Sequence, residues 1–361
     1  MGARRDLPWG DRAQYHAARV AGILPPRLLH VLAGGAPGQV DGSVLDDQVH
    51  LGLALWQRLH GEPLHDVPAR REMSRRTATL MAGPPVTVGR VRDLQVDGAA
   101  GPLRARHYAP FPHGTSAPAP LLVWFHGGGF VVGDLDSADQ PCRMLCRHAD
   151  VHVLSVDYRL APEHPFPAAV DDALAAFDWA LDHAAELGAD PAQVAVGGDS
   201  AGGNLAAVVA QQARHRRPPV AQLLVYPPTD LENRLPSADR FADGYFLTDA
   251  EATWYRDVYA GDAERTDPRM SPLLAPDLSG LAPALVITAA FDLLRDHGEE
   301  YARALQQAGT PVVLRRVPRL IHGFLNTTGV NRASYEAVVG IASAWRTTLA
   351  LAGSLDAARR G

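Results

Sequence analysis

The sequence predicts an α/β fold in which a mostly parallel eight-stranded sheet carries helices on both faces and a helical cap. From about residue 90 onward, short apolar runs alternate with longer helical patterns, which is typical of a doubly wound sheet. The central apolar runs are almost continuously hydrophobic, and such runs suit strands that helices bury on both faces. The 361 residues, 47% hydrophobic and 20% charged, are those of an ordinary globular α/β protein.

The strands and helices of this sheet can be placed from the hydrophobic pattern. The predicted strands are Val91–Val96, Leu103–Tyr108, Leu121–Phe125, Val151–Val156, Gln193–Gly197, Gln222–Tyr226, Ala284–Ala289 and Pro311–Val317. The predicted helices between them are Ala168–Leu187, Ala201–His215 and Leu294–Gln307. Gly188 and Gly309 follow the first and third helix, where glycine commonly forms the C-terminal cap.

Two regions do not fit the alternation. Residues 1–88 have a helical pattern with several Pro and Gly breaks, and residues 227–282 are long for a connection between two strands. We expect both to form a helical cap over the C-terminal ends of the strands, with residues 89–361 forming the main α/β domain to which 227–282 adds cap helices. The stretch Pro110–Pro120 is predicted to be a surface turn.

Composition excludes several classes of partner. A net charge of −6 and the lack of a Lys/Arg block argue against nucleic acid, and no apolar run approaches the roughly 20 residues of a membrane span. The apolar run Val20–Leu24 stops at prolines, so a secretory signal is not expected. Cys142 and Cys146 are too few for a disulfide framework or a zinc site and are interpreted as buried or half-buried thiols. We therefore predict a cytoplasmic protein without a metal.

The strongest chemical signal is a G-x-S-x-G pattern that runs from Gly198 through Ser200 to Gly202. It follows a predicted strand and opens a predicted helix, the context of a nucleophile elbow. The sharp turn requires small residues two positions before and after the serine, and the helix N-terminus favours developing negative charge. A glycine-rich turn with a capping serine is the alternative for the bare pattern, and the strand–turn–helix placement favours a nucleophile.

The second signal is a histidine followed by three glycines directly after a predicted strand. Acyl transfer builds a negative oxygen, which needs N–H donors that glycines leave accessible. In lipases and esterases, a loop with this sequence pattern forms the oxyanion hole. We predict the N–H groups of Gly127, Gly128 and Ala201 as donors, with His126 and Gly129 supporting the loop. A phosphate-binding loop is the alternative, but neither a following Lys-Ser/Thr nor G-x-G-x-x-G is present.

A serine nucleophile needs a base that a carboxylate orients. In this arrangement the chain order is Ser, acid, His. Asp292 lies nearest the end of the predicted strand Ala284–Ala289 and is the predicted acid, and His322 follows the last strand and is the predicted base. Asp296 lies one helical turn later and is interpreted as a helix-start charge or a partner for Arg295.

Three segments together resemble the bacterial hormone-sensitive-lipase family of esterases: His-Gly-Gly-Gly-Phe at 126–130, Asp-Tyr-Arg-Leu-Ala-Pro-Glu-His-Pro-Phe-Pro-Ala at 157–168, and Gly-Asp-Ser-Ala-Gly-Gly-Asn at 198–204. Asp199 matches the GDSAG branch, and the resemblance covers roughly residues 44–350. It implies an α/β-hydrolase fold, a serine carboxylesterase acting on short- to medium-chain esters without a cofactor, and a cap that includes the segment at 241–248. It is also compatible with a homodimer.

Two features depart from the family pattern. Leu293 stands where many members have Pro after the catalytic acid, and residues 1–43 extend beyond the common start. Within the segment at 157–168, Arg159 and Glu163 are expected to pair and brace the oxyanion loop. The residues predicted to form an apolar substrate pocket, or alternatively plain cap core, are Phe130, Phe246, Trp254, Leu293 and Phe324.

The predicted reaction is a two-step acyl transfer through an acyl-enzyme. A binding protein on the same scaffold is the rival of a different class, because fold alone does not determine function. Such a receptor typically lacks the histidine, whereas His322 is present here. An amidase and a large-lipid lipase are nearer rivals, but nothing indicates extra leaving-group protonation, and the cap segments are only moderately apolar.

Overall fold

The computed structural model describes residues 24–59, 66–112 and 118–360. The first part of the predicted N-terminal helical segment, including most of the run Val20–Leu24, lies outside the described residues. So does the centre of the predicted surface turn Pro110–Pro120.

The strands confirm the predicted sheet. In the described ranges they are β1 Gln39–Val40, β2 Ser43–Val44, β3 Arg90–Gly98, β4 Gly101–Ala109, β5 Ala119–Phe125, β6 His152–Val156, β7 Ala189–Asp199, β8 Gln222–Val225, β9 Ala284–Phe291 and β10 Val312–Ile321. Strands β3 to β10 form one eight-stranded sheet in the order β10-β9-β8-β7-β5-β6-β4-β3. Pairings from β10 to β6 are parallel, and β4 pairs antiparallel with both β6 and β3.

Helices cover both faces of the sheet. They are α1 Pro26–Ala33, α2 Asp47–Leu59, α3 Val67–Met81, α4 Asp139–Ala149, α5 Ala168–His183, α6 Ala201–Ala213, α7 Pro236–Arg240, α8 Asp249–Ala260, α9 Arg295–Gln307 and α10 Arg332–Arg360. The three predicted helices correspond to α5, α6 and α9, with boundaries that differ by one to four residues. Gly188 and Gly309 adopt the positive φ angles, 81° and 85°, that favour glycine.

Strand β5 shows why the central apolar runs are continuous. Leu121, Val123 and Phe125 belong to the core that packs against α5, α6 and α9. Leu122 and Trp124 point to the opposite face and belong to the core formed with α4 and α10. Because successive side chains of a strand alternate between faces, burial of both faces requires an apolar residue at every position.

The two regions outside the alternation meet at the C-terminal ends of β9 and β10. Leu45 and Leu53 from the N-terminal region cluster with Phe241, which belongs to the long connection after β8. The same cluster contains Phe291 and Ile321, the last residues of β9 and β10. Within the ranges that the structure describes, no helix is long and apolar enough to cross a membrane.

Candidate active site

Ser200 occupies a sharp turn between β7 and α6. Its backbone has φ 52° and ψ −122°, a conformation that is strained for any residue other than glycine. The Ser200 N–H donates to the Val225 carbonyl at 2.9 Å, and the Ser200 carbonyl accepts from the Asn204 N–H at 3.1 Å. These bonds tie the turn to β8 on one side and to the first turn of α6 on the other.

The two glycines of the predicted elbow are required sterically. A Cβ atom on Gly198 would lie 2.2 Å from the carbonyl oxygen of Gly202. A Cβ atom on Gly202 would lie 1.8 Å from the carbonyl oxygen of Phe125 on the adjacent strand. Both distances are far inside van der Waals contact with backbone that cannot move freely, so only glycine fits at either position.

The structure brings Ser200, His322 and Asp292 together. His322 Nε2 lies 2.9 Å from Ser200 Oγ, and His322 Nδ1 lies 2.8 Å from Asp292 Oδ2. Asp292 Oδ1 accepts the Leu294 N–H at 2.8 Å, which fixes the plane of the carboxylate. Since the buried carboxylate can only accept, Nδ1 carries the imidazole proton and Nε2 is free to accept the serine proton.

Asp296, one helical turn after Asp292, has other partners than His322. Its carboxylate accepts from Arg295 Nε at 3.0 Å and from the Ser237 N–H at 2.9 Å. Asp296 is therefore a partner for Arg295, which is one of its two predicted roles. Its bond to Ser237 also connects α9 to α7.

The glycine loop corrects one predicted oxyanion donor. The Gly127 N–H donates to Asp199 Oδ1 at 3.0 Å, so this amide is already occupied and is not a donor to substrate. Gly128 and Gly129 have φ angles of 127° and 59°, and their N–H groups have no hydrogen-bond partner among the described residues. Ala201 opens α6, so its N–H has no partner within the helix.

His126, predicted to support the loop, contacts it through its side chain. Its Nδ1 lies 2.8 Å from the Gly127 carbonyl, and its carbonyl accepts from Tyr158 Oη at 2.7 Å. The rings of His126 and Tyr158 stack with centroids 4.4 Å apart. Burial raises the pKa of Asp199, against the opposing effects of His126 and the Gly127 N–H.

The predicted pair between Arg159 and Glu163 is wrong. Arg159 instead binds Asp172 of α5, with Nε 2.8 Å from Oδ2, because this completely buried carboxylate needs a cationic partner. Glu163 binds Arg71 of α3 through two bonds of 2.9 and 2.7 Å. Arg71 Nε also donates to the Val131 carbonyl at 2.8 Å, just beyond the glycine loop. No motif marks Arg71, so sequence analysis missed it.

A large cavity of about 1310 Å³ opens above Ser200 and His322. Four of the predicted pocket residues line it: Phe130, Phe246, Leu293 and Phe324. Trp254 is not among the lining residues, because its ring packs against the Arg70 guanidinium, 4.7 Å from the ring centroid, and against Tyr255. Polar side chains that the sequence did not indicate, including His297 and Arg256, also line the wall.

Comparisons with known proteins agree with this geometry. A family model described as alpha/beta hydrolase fold matches residues 122–326. The chain is 45% identical to the carboxylic ester hydrolase LipN of Mycobacterium tuberculosis over 97% of this chain and 96% of that protein. It is 39% identical to an ethyl acetate hydrolase of Pseudomonas putida, covering 78% and 91% of the two chains. A solved esterase of Pyrobaculum calidifontis superposes with a TM-score of 0.75 at 39% identity, covering 82% of this chain and 97% of that one.

Proposed function

We propose a mechanism for this chain from one premise: it belongs to the α/β-hydrolase fold family and, within it, to the bacterial hormone-sensitive-lipase family of carboxylic ester hydrolases. The proposal is a serine carboxylesterase that acts through an acyl-enzyme on short- to medium-chain esters. One observation carries it, the hydrogen-bonded chain from Ser200 through His322 to Asp292 at the floor of a large cavity.

Acylation begins at Ser200. His322 Nε2, 2.9 Å from Oγ, takes the hydroxyl proton as the oxygen attacks the ester carbonyl carbon. Asp292 stabilises the imidazolium that forms. The carbonyl oxygen becomes negative and accepts the N–H groups of Gly128, Gly129 and Ala201, and each such donor contributes about 3 kcal/mol to stabilising the transition state.

The intermediate then collapses. The bond between the carbonyl carbon and the alcohol oxygen breaks, and His322 gives its proton to the departing alcohol. A water molecule next loses a proton to His322 and attacks the acyl carbon. The bond from the acyl carbon to Ser200 Oγ then breaks, and His322 returns the proton to Oγ, which releases the acid and restores the hydroxyl.

Three further parts of the proposal concern the surroundings of the site. The N-terminal region and the connection at 227–282 form a cap over the strand ends, supported by the shared cluster of Leu45, Leu53 and Phe241.

Asp199 before the nucleophile supports placement in the GDSAG branch. A cytoplasmic location is supported by the use of only two cysteines, both free in the structure, and a homodimer stays a prediction.

The first test compares wild type with Ser200→Ala on p-nitrophenyl esters of increasing acyl length. Loss of the nucleophile is expected to lower kcat by about 10⁴- to 10⁶-fold. Ser354→Ala is the matched control, because Ser354 is exposed on α10 and its Oγ donates to the Ala350 carbonyl of its own helix. A p-nitrophenyl phosphonate should transfer its phosphonyl group to Ser200 Oγ with release of p-nitrophenolate, and a peptide containing Ser200 should gain the mass of that group. Full activity in Ser200→Ala would refute the proposal.

A further inference from the structure

We propose that the cavity contains a second polar subsite, formed by His297 and Arg256, which binds an uncharged oxygen acceptor on the substrate away from the scissile ester. The acceptor is a carbonyl, ether or hydroxyl oxygen, so the preferred substrates are oxygenated esters. The inference rests on the proposed esterase function and concerns which esters that function selects.

His297 presents an N–H group to the cavity. It lies in the first turn of α9 and is only 6% exposed, and it lines the cavity wall. Its Nδ1 accepts two long hydrogen bonds, from the N–H groups of Thr229 at 3.4 Å and Asp230 at 3.3 Å. Since backbone amides only donate, the neutral ring must carry its proton on Nε2.

The protonation state supports this assignment. Burial lowers the pKa of His297 to about 4, and the nearby charge of Arg256 acts in the same direction against the carboxylates around it. The ring is therefore neutral near pH 7. No described residue accepts a hydrogen bond from Nε2, so this donor is left for a molecule inside the cavity.

Arg256 supplies the second donor. It lies on α8 and lines the same cavity, and in the described part of the chain its Nη1 has no hydrogen-bond partner while its Nη2 makes one long bond, to Thr253. Its Nε is buried away from the cavity, so the Nη groups are the donors that a substrate can reach. Both of its printed side-chain contacts are long, because Thr253 Oγ1 is 3.5 Å from Nη2 and Asp257 Oδ1 is 3.7 Å from Nε. Asp257 instead binds Arg265 at 2.9 Å.

The surrounding charges favour a neutral acceptor. Asp230, 4% exposed, lines the wall beside His297, and its carboxylate accepts the N–H groups of Glu232 and Asn233 together with the Asn233 side chain. The negative charge of Asp230 offsets the positive charge of Arg256, so an anion that enters the cavity gains little net attraction. An uncharged oxygen meets no such repulsion and satisfies the unpaired donors, and burying those donors against a purely alkyl chain is unfavourable.

The subsite lies on one side of the nucleophile. Asp230 follows β8, the strand next to β7, and His297 lies in the helix that follows β9. The bound oxygen therefore belongs to the arm of the ester that extends from Ser200 across β8. Either the acyl arm or the alcohol arm can supply it, and substrate pairs distinguish the two.

The test uses pairs of esters that differ by one oxygen function at equal length. The acyl pair is p-nitrophenyl levulinate and p-nitrophenyl pentanoate, and the alcohol pair is methoxyethyl acetate and butyl acetate. Wild type should prefer the oxygenated member of one pair by about 10-fold in kcat/KM, because one hydrogen bond to a charged donor changes kcat/KM by about that factor. Arg256→Met, which keeps the side-chain length, should bring this ratio close to one.

The controls separate this inference from the esterase mechanism. Each ratio is measured on a single preparation, so the amount of folded enzyme cancels. Arg265→Met removes the other arginine near Asp257, lies outside the cavity lining, and should keep the wild-type ratio. His297→Leu should lower the ratio as Arg256→Met does. A ratio of one for both pairs in wild type, or a ratio unchanged in Arg256→Met, overturns the subsite, whereas failure of the mechanism abolishes turnover of every ester.

Discussion

At the scale of single residues, the site depends on a serine held in a conformation that serine does not favour. The positive φ of Ser200 places Oγ at the end of β7, within 2.9 Å of His322 Nε2. The strain is tolerated because the turn is bonded to both β8 and α6 and because Gly198 and Gly202 let the backbones pass closely. Reactivity is thus determined by neighbours that take no part in the chemistry.

Gly202→Ala tests this dependence. The added methyl would meet the Phe125 carbonyl at 1.8 Å, so α6 must move away from β5 and carry Ser200 with it. We expect a loss of about 3 kcal/mol in the free energy of unfolding and a fall of at least about 10²-fold in kcat. Urea unfolding and ester hydrolysis measure the two effects. Gly353→Ala on α10, where a Cβ meets nothing within 4 Å, should be neutral or stabilising. Wild-type behaviour of Gly202→Ala would contradict the steric argument.

The three residues of the proposed triad were predictable from the sequence, whereas the free amides of the glycine loop were only partly so. Chain order and strand placement indicate Ser200, Asp292 and His322 without any distance. Which glycine amides are free depends on the orientation of the Asp199 side chain, whose Oδ1 accepts the Gly127 N–H at 3.0 Å. The two residues are 72 positions apart, so their hydrogen bond depends on the three-dimensional packing and leaves no local pattern in the sequence.

At the scale of elements, α3 acts as an outer brace for the glycine loop. Arg71 donates to the Val131 carbonyl at 2.8 Å, and Arg75 binds the Asp134 carboxylate at 2.7 Å. Arg70 bonds Tyr255 Oη at 2.8 Å, and the Tyr255 ring lies where a side chain on Gly129 would be. The N-terminal region therefore contacts the segment of the glycine loop directly, in addition to its contacts with the strand ends.

Arg71→Met tests whether this brace positions the oxyanion donors. We expect kcat to fall by about 10-fold or more, with a small change in KM, because misplaced donors act on the transition state more than on the bound ester. Arg71→Lys keeps the charge but lacks the planar guanidinium that binds Glu163 and the Val131 carbonyl together. Its kcat should therefore lie between the values of wild type and Arg71→Met.

The matched control for this brace is Arg332→Met. Arg332 forms an exposed ion pair with Glu336 on α10, so its loss should leave the kinetic constants unchanged. Inhibition by a trifluoromethyl ketone, which forms an oxyanion on the enzyme, should weaken in Arg71→Met in proportion to kcat. An unchanged kcat and inhibitor affinity would show that α3 only covers the site.

At the scale of the whole molecule, the sheet and its two faces follow from hydrophobic periodicity, but contacts between distant segments do not. The pair Arg71–Glu163 spans 92 residues, and nothing local distinguishes Glu163 as a partner for α3 rather than for Arg159. The same limit applies to His297, whose role depends on the ring facing the amides of Thr229 and Asp230 across the cavity wall.

We expect a second long-range contact to contribute to the response of the fold to acid. His107 on β4 and His152 on β6 are both buried, with Nε2 of the first 2.9 Å from Nδ1 of the second. Burial, with the charges of His152, Arg92 and Arg90, lowers the pKa of His107 from 6.5 to about 3. Burial also lowers the pKa of His152. Because the unfolded chain binds these protons more readily, the stabilisation is complete above about pH 6.5 and is lost as the pH falls toward 3.

His107→Gln should flatten this acid response. Between about pH 7 and pH 5, His107 alone should account for a loss of about 2 kcal/mol in the free energy of unfolding. Glutamine does not titrate but can still hydrogen-bond His152, so the variant should lose less stability over that range, whatever its stability at neutral pH. Urea unfolding at several pH values measures the slope for wild type, the variant and His164→Gln, an exposed histidine on the surface. Equal slopes in wild type and His107→Gln would show that acid unfolds the molecule elsewhere, and a flattened slope in His164→Gln would remove the assignment to the buried pair.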